Sequence, residues 1–141
     1  MNVVNKIIMK RLLIFHPTIA PYRIDFFNDL YKAFHTRICL RYRNLRSQKF
    51  DYEKIAGKFV FEPIYQDSEI KGHSRKFYWK NLEEHDPDIV IVEEFSIGTL
   101  YVLFHRFLKR KKYKVVSICD DSYNMVAEDN ALQGLDMINT A

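Results

Sequence analysis

Three places along the chain put side chains that can do chemistry at the end of an apolar run. The first is His16, which closes "LLIFH" and is followed by Pro17. The second is the pair Glu93–Glu94, which closes "DPDIVIVEE"; the third is Asp120–Asp121, after "KVVSIC". An imidazole titrating near neutral pH can take or give a proton. Paired carboxylates can bind hydroxyl-rich ligands or take a proton. Each also has a plainer reading. His16 can hydrogen-bond to a neighbouring loop, and one of Glu93 and Glu94 can face solvent while the other pairs with a basic side chain. Ser96 is a good N-cap for a helix after the second place. Gly98, one turn in, would let a ligand approach that helix end.

Other chemistry is absent from the sequence. With only four glycines, no G-x-G-x-x-G follows the first apolar run and no phosphate-binding G-x-x-x-x-G-K-[ST] occurs. The turn "HPTIAPY" has two prolines and no glycine, so it is not built to wrap a pyrophosphate. The five histidines (His16, His35, His73, His85 and His105) show no H-x-x-x-H or Cys/His ligand spacing, and no metal is expected. There is no G-x-S-x-G nucleophile elbow. Asp120–Asp121 resembles a receiver-domain acidic pair only superficially, because that pair belongs after the first strand.

Charge is clustered. Arg37, Arg41, Arg43, Arg46 and Lys49 form one basic region; Arg106, Lys109, Arg110, Lys111, Lys112 and Lys114 form another. Solvated helix and sheet margins are one explanation, and contact of the second region with anionic lipid headgroups is the sharper one. With a net charge of +4 and no helix-turn-helix, zinc site or RNP-type motif, nucleic acid is not an expected partner. Cys39 and Cys119 both lie in apolar runs and read as reduced core thiols. No stretch reaches the length of a membrane span, and the N-terminus lacks a signal-peptide core.

The elements that must hold these groups alternate short apolar blocks with amphipathic runs, the pattern of an α/β domain with a parallel sheet. Leu12–His16 is a buried strand. Pro21 fits the first helical position, with Phe27, Leu30, Tyr31 and Phe34 at helical spacing behind it. "TRICLRYR" is the second strand, and "KFVFE" (58–62) a third, peripheral one. Residues 63–75 read as a loop and Phe77–His85 as a helix. Ile89–Val92 form the fourth strand. Leu100, Leu103, Phe104, Phe107 and Leu108 then form an apolar helical stripe, and "KVVSIC" is the fifth strand. The last twenty residues are expected to thin into a loop and one helix over 126–135. The expected fold is a Rossmann-like, doubly wound parallel sheet of order 3-2-1-4-5 in three α/β/α layers. His16, Glu93, Glu94, Asp120 and Asp121 all fall at carboxyl ends of strands, where such sheets bind ligands.

"LLIFHPTIAPYRIDFFNDLYKAF" resembles the opening strand, turn and helix of glycosyltransferase family 4 enzymes and their GT-B relatives, through Pro21, Tyr22, Arg23, Phe26, Phe27 and Leu30. "PDIVIVEEFSIGT" and "YKVVSICDD" resemble the fourth- and fifth-strand segments of the same N-terminal domains. The likeness spans most of residues 10–123. It implies the acceptor-side half of a two-domain enzyme that transfers a sugar, usually without a metal. The nucleotide-sugar donor would bind mainly a C-terminal domain that this chain does not contain, so the chain alone would be inactive. Carried over on this resemblance, the acceptor site comprises His16, Thr18, Tyr22 and Arg23, then Glu94, Ser96, Gly98 and Thr99, and Asp120. His16 is the catalytic candidate. Many family members have glycines in the first turn and this chain has none, so its acceptor contacts would differ.

The expected organisation is one domain over 1–141, with residues 1–9 an extension ahead of the first strand. The ending "LDMINTA" supplies no closing element and favours a truncated two-domain enzyme. The expected partners are a glycan or lipid-linked acceptor, the chain's own C-terminal domain and an anionic membrane surface, with dimerisation through an exposed crevice face as a further expectation. The expected location is the cytoplasm, peripheral on the inner membrane face. The rival reading is a non-catalytic α/β binding or membrane-surface module complete in itself.

Overall fold

A computed structural model describes residues 9–42, 52–66, 72–93 and 96–118. Five parallel strands form one sheet: β1 (Arg11–His16), β2 (His35–Leu40), β3 (Ile64–Tyr65), β4 (Ile89–Glu93) and β5 (Lys114–Ile118), in the order β3-β2-β1-β4-β5. Parallel neighbours require crossovers. These are supplied by α1 (Ile24–Ala33), α3 (Arg75–His85) and α4 (Ile97–Leu108), with a short α2 (Tyr52–Ala56) before β3. The expected three-layer α/β/α fold is therefore the fold observed.

The strands alternate between two cores. Leu12, Ile14, Ile38, Leu40 and Ile91 pack with Ile24 and Phe27 of α1 and Ile55 of α2. Leu13, Phe15, Cys39, Val90 and Val92 pack on the opposite face with Tyr78 and Leu82 of α3 and Val102 of α4. β1 is central and buried on both faces, which is why it reads as an unbroken apolar block. A fully buried side chain such as Phe27 contributes about 1.5–3 kcal/mol.

Pro21 opens the first helical segment, as a one-turn 3₁₀ stretch (Pro21–Arg23) that leads into α1. The third strand differs from expectation. "KFVFE" is not a strand; β3 is Ile64–Tyr65, inside the stretch that reads as a loop. The alternating phenylalanines instead stack on each other, Phe59 on Phe61 at 4.8 Å, and pack against the α1-side core. Asn28 of α1 replaces the ladder there. Its Nδ2 donates to the Lys58 carbonyl (2.9 Å) and its Oδ1 accepts from the Val60 amide (3.1 Å). The segment's backbone is thus satisfied by a side chain rather than by a strand.

The stripe on α4 is also placed differently from a core-facing helix. Gly98, Val102 and His105 face inward, while Leu100, Leu103, Phe104, Phe107 and Leu108 are exposed.

Candidate functional site at the carboxyl edge of the sheet

β1 lies between β2 and β4, so the carboxyl end of β1 is the point where the strand order reverses. The turn that follows it is held by backbone amides from the end of β2. The Arg41 and Tyr42 amides donate to the Pro17 carbonyl at 3.1 and 2.8 Å, tying the turn to the end of β2. His16 is only 5% exposed. Its Nδ1 lies 2.6 Å from the Thr18 carbonyl, so that nitrogen carries the proton and donates. Its ring meets Phe27 edge-on at 5.4 Å. The plainer reading of His16, a bond to the loop beside it, is thus present, and the ring sits beneath α1 rather than on the rim. Thr18 is buried with it. Tyr22 is 69% exposed, and the Arg23 guanidinium lies 6.0 and 5.9 Å from the Tyr22 and Phe26 rings.

The polar centre of the edge is a cluster that spans β1. Arg41, one residue past β2, donates from Nη2 to both oxygens of Glu93 at the end of β4, at 2.7 and 2.9 Å. These side chains are 12% and 18% exposed, so the pair is largely desolvated. A third group completes it. His73 Nε2 is 2.9 Å from Glu93 Oε1, and since a carboxylate only accepts, that nitrogen donates. In the neutral ring Nδ1 then carries the lone pair. The carboxylate thereby fixes the tautomer and orientation of the imidazole, an arrangement that prepares it to receive a proton.

Local sequence explains why His73 stands there. Gly72 has φ +78°, a left-handed conformation that suits glycine, and its carbonyl accepts from Gln66 Nε2 at 2.8 Å. Ser74 caps α3, accepting from the Phe77 amide at 3.3 Å. His73 is held between the reversal and the cap. Beneath it, Tyr78 packs on Phe15 with ring centroids 4.3 Å apart, and burial pushes its phenol well above the usual range.

Ser96 and Thr99 are occupied in starting α4. Ser96 Oγ accepts from the Thr99 amide at 3.2 Å, and Thr99 Oγ1 donates to the Glu93 carbonyl at 2.9 Å. Gly98 has a packing reason: a Cβ there would overlap the hydroxyl and ring of Tyr78. The space on the Cβ side of Gly98 is filled by Tyr78. Glu94 and Asp120, like Asp121, Cys119 and the basic residues Arg43, Arg46 and Lys49, lie outside the described residues. Of the residues singled out, His16 and Thr18 come together in the first turn, Ser96, Gly98 and Thr99 at the start of α4, and Tyr22 and Arg23 on the 3₁₀ stretch. The sequence reading missed His73 and placed Arg41 only in a basic region. The signal for His73 was its position between a glycine and a serine that open a helix.

Among the described residues, no group of three or more His, Cys, Asp and Glu is placed to hold a metal ion. No helix among them is long and apolar enough to cross a membrane. A groove of about 590 Å³ lies elsewhere, beside His35–Ile38 of β2 and lined also by Phe59, Phe61 and His85. It flanks the amino-terminal part of β2, where β3 is too short to pair, and is separate from the Arg41–Glu93–His73 cluster. No family model, curated protein or solved structure matches the chain.

Proposed function

We propose that the chain is the acceptor-binding domain of a GT-B glycosyltransferase. Transfer would be to a glycan or lipid-linked acceptor, from a nucleotide-sugar donor held mainly by a second domain. The observation that carries this reading is the Arg41–Glu93–His73 cluster at the strand-order reversal, beside a turn held by backbone amides from the end of β2. A glycine-free turn of this kind offers a pyrophosphate no backbone cradle. A carboxylate, a guanidinium and an oriented imidazole are the groups that hydrogen-bond sugar hydroxyls. In the transfer, the acceptor hydroxyl oxygen bonds to the anomeric carbon of the donor as the bond to the nucleotide diphosphate breaks. The hydroxyl proton goes to His73 Nδ1, and Glu93 stabilises the imidazolium that forms. Arg41 holds Glu93 in place and balances its charge.

The test uses the chain as it is. Isotope-labelled protein is titrated with a panel of neutral disaccharides and, separately, with uridine diphosphate, and the histidine ring signals are followed. The expected result is weak saccharide binding that shifts the His73 resonances and is lost in His73→Ala, with no response to the nucleotide. Nucleotide binding without saccharide binding would overturn the proposal, and so would saccharide binding that His73→Ala leaves intact.

A further inference from the structure

The outer face of α4 has no polar side. Leu100, Leu103, Phe104 and Phe107 lie opposite the buried residues Gly98, Val102 and His105, and Phe107 is 78% exposed. A helix apolar on the face turned away from its own core has a second apolar environment to meet. The charges around it say which. Residues 97–114 contain Arg106, Lys109, Arg110, Lys111, Lys112 and Lys114 and no Asp or Glu. Lys109 and Lys111 approach Glu83 and Asp86 at 4.0 and 3.5 Å, yet both remain half-exposed. Arg106 donates from Nε to the Tyr113 carbonyl at 2.7 Å, which pins the basic turn against the end of the helix.

We infer that α4 lies on an anionic lipid bilayer, with Leu100, Leu103, Phe104 and Phe107 in the interfacial region and the 106–114 cluster on the headgroups. A bilayer supplies an apolar layer and negative charge in one surface, and interfacial helices bind through that combination. A second copy of the chain would supply the apolar layer but would bring a second basic cluster with it. The placement also has a consequence for the crevice. The first turn of α4 is bonded to Glu93 through Thr99, so the helix runs about 18 Å away from the polar cluster along the surface. On the reading of that cluster as an acceptor site, the acceptor is delivered from the bilayer surface, as a lipid-linked one would be.

The experiment is sedimentation of the 141-residue chain with vesicles of phosphatidylcholine plus phosphatidylglycerol, and with phosphatidylcholine alone, with no sugar or nucleotide present. Failure here would leave the saccharide titration untouched. Binding to the anionic vesicles is expected to exceed binding to the neutral ones by about tenfold or more. Phe104→Ser with Phe107→Ser should abolish it, and Arg110→Glu with Lys112→Glu should weaken it by a similar factor. Both pairs are exposed, and circular dichroism checks that they fold. Equal binding to both vesicle types would overturn the inference. So would absence from both, or a concentration-dependent dimer that Phe107→Ser disperses while vesicles recruit nothing.

Discussion

Gly98→Ala separates two reasons for a glycine at the start of α4. Alanine is the better helix former by up to about 1 kcal/mol, so a glycine kept only to admit a ligand would be improved in stability by the change. The packing says otherwise. The new Cβ would overlap the Tyr78 hydroxyl and ring, and that ring is fully buried and seated on Phe15, with no room to retreat. Overpacking of this kind costs about 1–3 kcal/mol, which outweighs the propensity gain. The melting temperature should therefore fall by about 3–8 °C, read by circular dichroism or calorimetry. The Tyr78 hydroxyl is among the atoms overlapped, so Tyr78→Phe should relieve part of the clash. The double variant should lose less stability than the two single losses together, by about 0.5 kcal/mol or more. A melting temperature equal to or above that of the parent, or strict additivity, would refute the packing argument.

Two further predictions concern titratable groups whose surroundings shift their protonation. Burial pushes the Cys39 thiol from 9.0 up to about 12, which lowers its thiolate fraction about a thousandfold. In a Cys119→Ser variant, a disulfide reagent at mildly alkaline pH should therefore label native protein far more slowly than denaturant-unfolded protein; equal rates would sink the idea. Acid should destabilise the fold in two windows. Burial lowers the His85 pKa below 6.5, so its contribution is complete above 6.5 and is lost as pH falls towards the lower folded value. The hydrogen bond between His105 and Glu83 lowers the Glu83 carboxyl below 4.5, so its contribution is lost below that point. The urea midpoint should begin to fall below about pH 6.5, and His85→Gln should flatten that first limb. A midpoint unchanged between pH 7 and 5 would contradict this account.

The sequence alone was enough to determine four of the five strands and the order of the sheet. Blocks such as "LLIF" and "IVIV" are apolar without alternation because their strands are covered on both faces. The helical runs between them force parallel crossovers, and the strand order follows. Pro21 and Ser96 marked helix starts because their preferences act within one turn of chain, independent of the rest of the fold. Tertiary structure decided the remainder. The alternation in "KFVFE" is the same for a strand and for an irregular segment that buries its phenylalanines; only Asn28, thirty residues earlier, removes the need for a ladder. The α4 stripe has the same period whether it faces in or out. Its direction was set by Gly98 closing on Tyr78 and by His105 bonding to Glu83 and Tyr113. The polar cluster joins residues 41, 73 and 93, from the end of β2, the approach to α3 and the end of β4, by hydrogen bonds across 20 and 52 positions of sequence. No local pattern encodes such a contact, because what brings the three together is the reversal of strand order around β1.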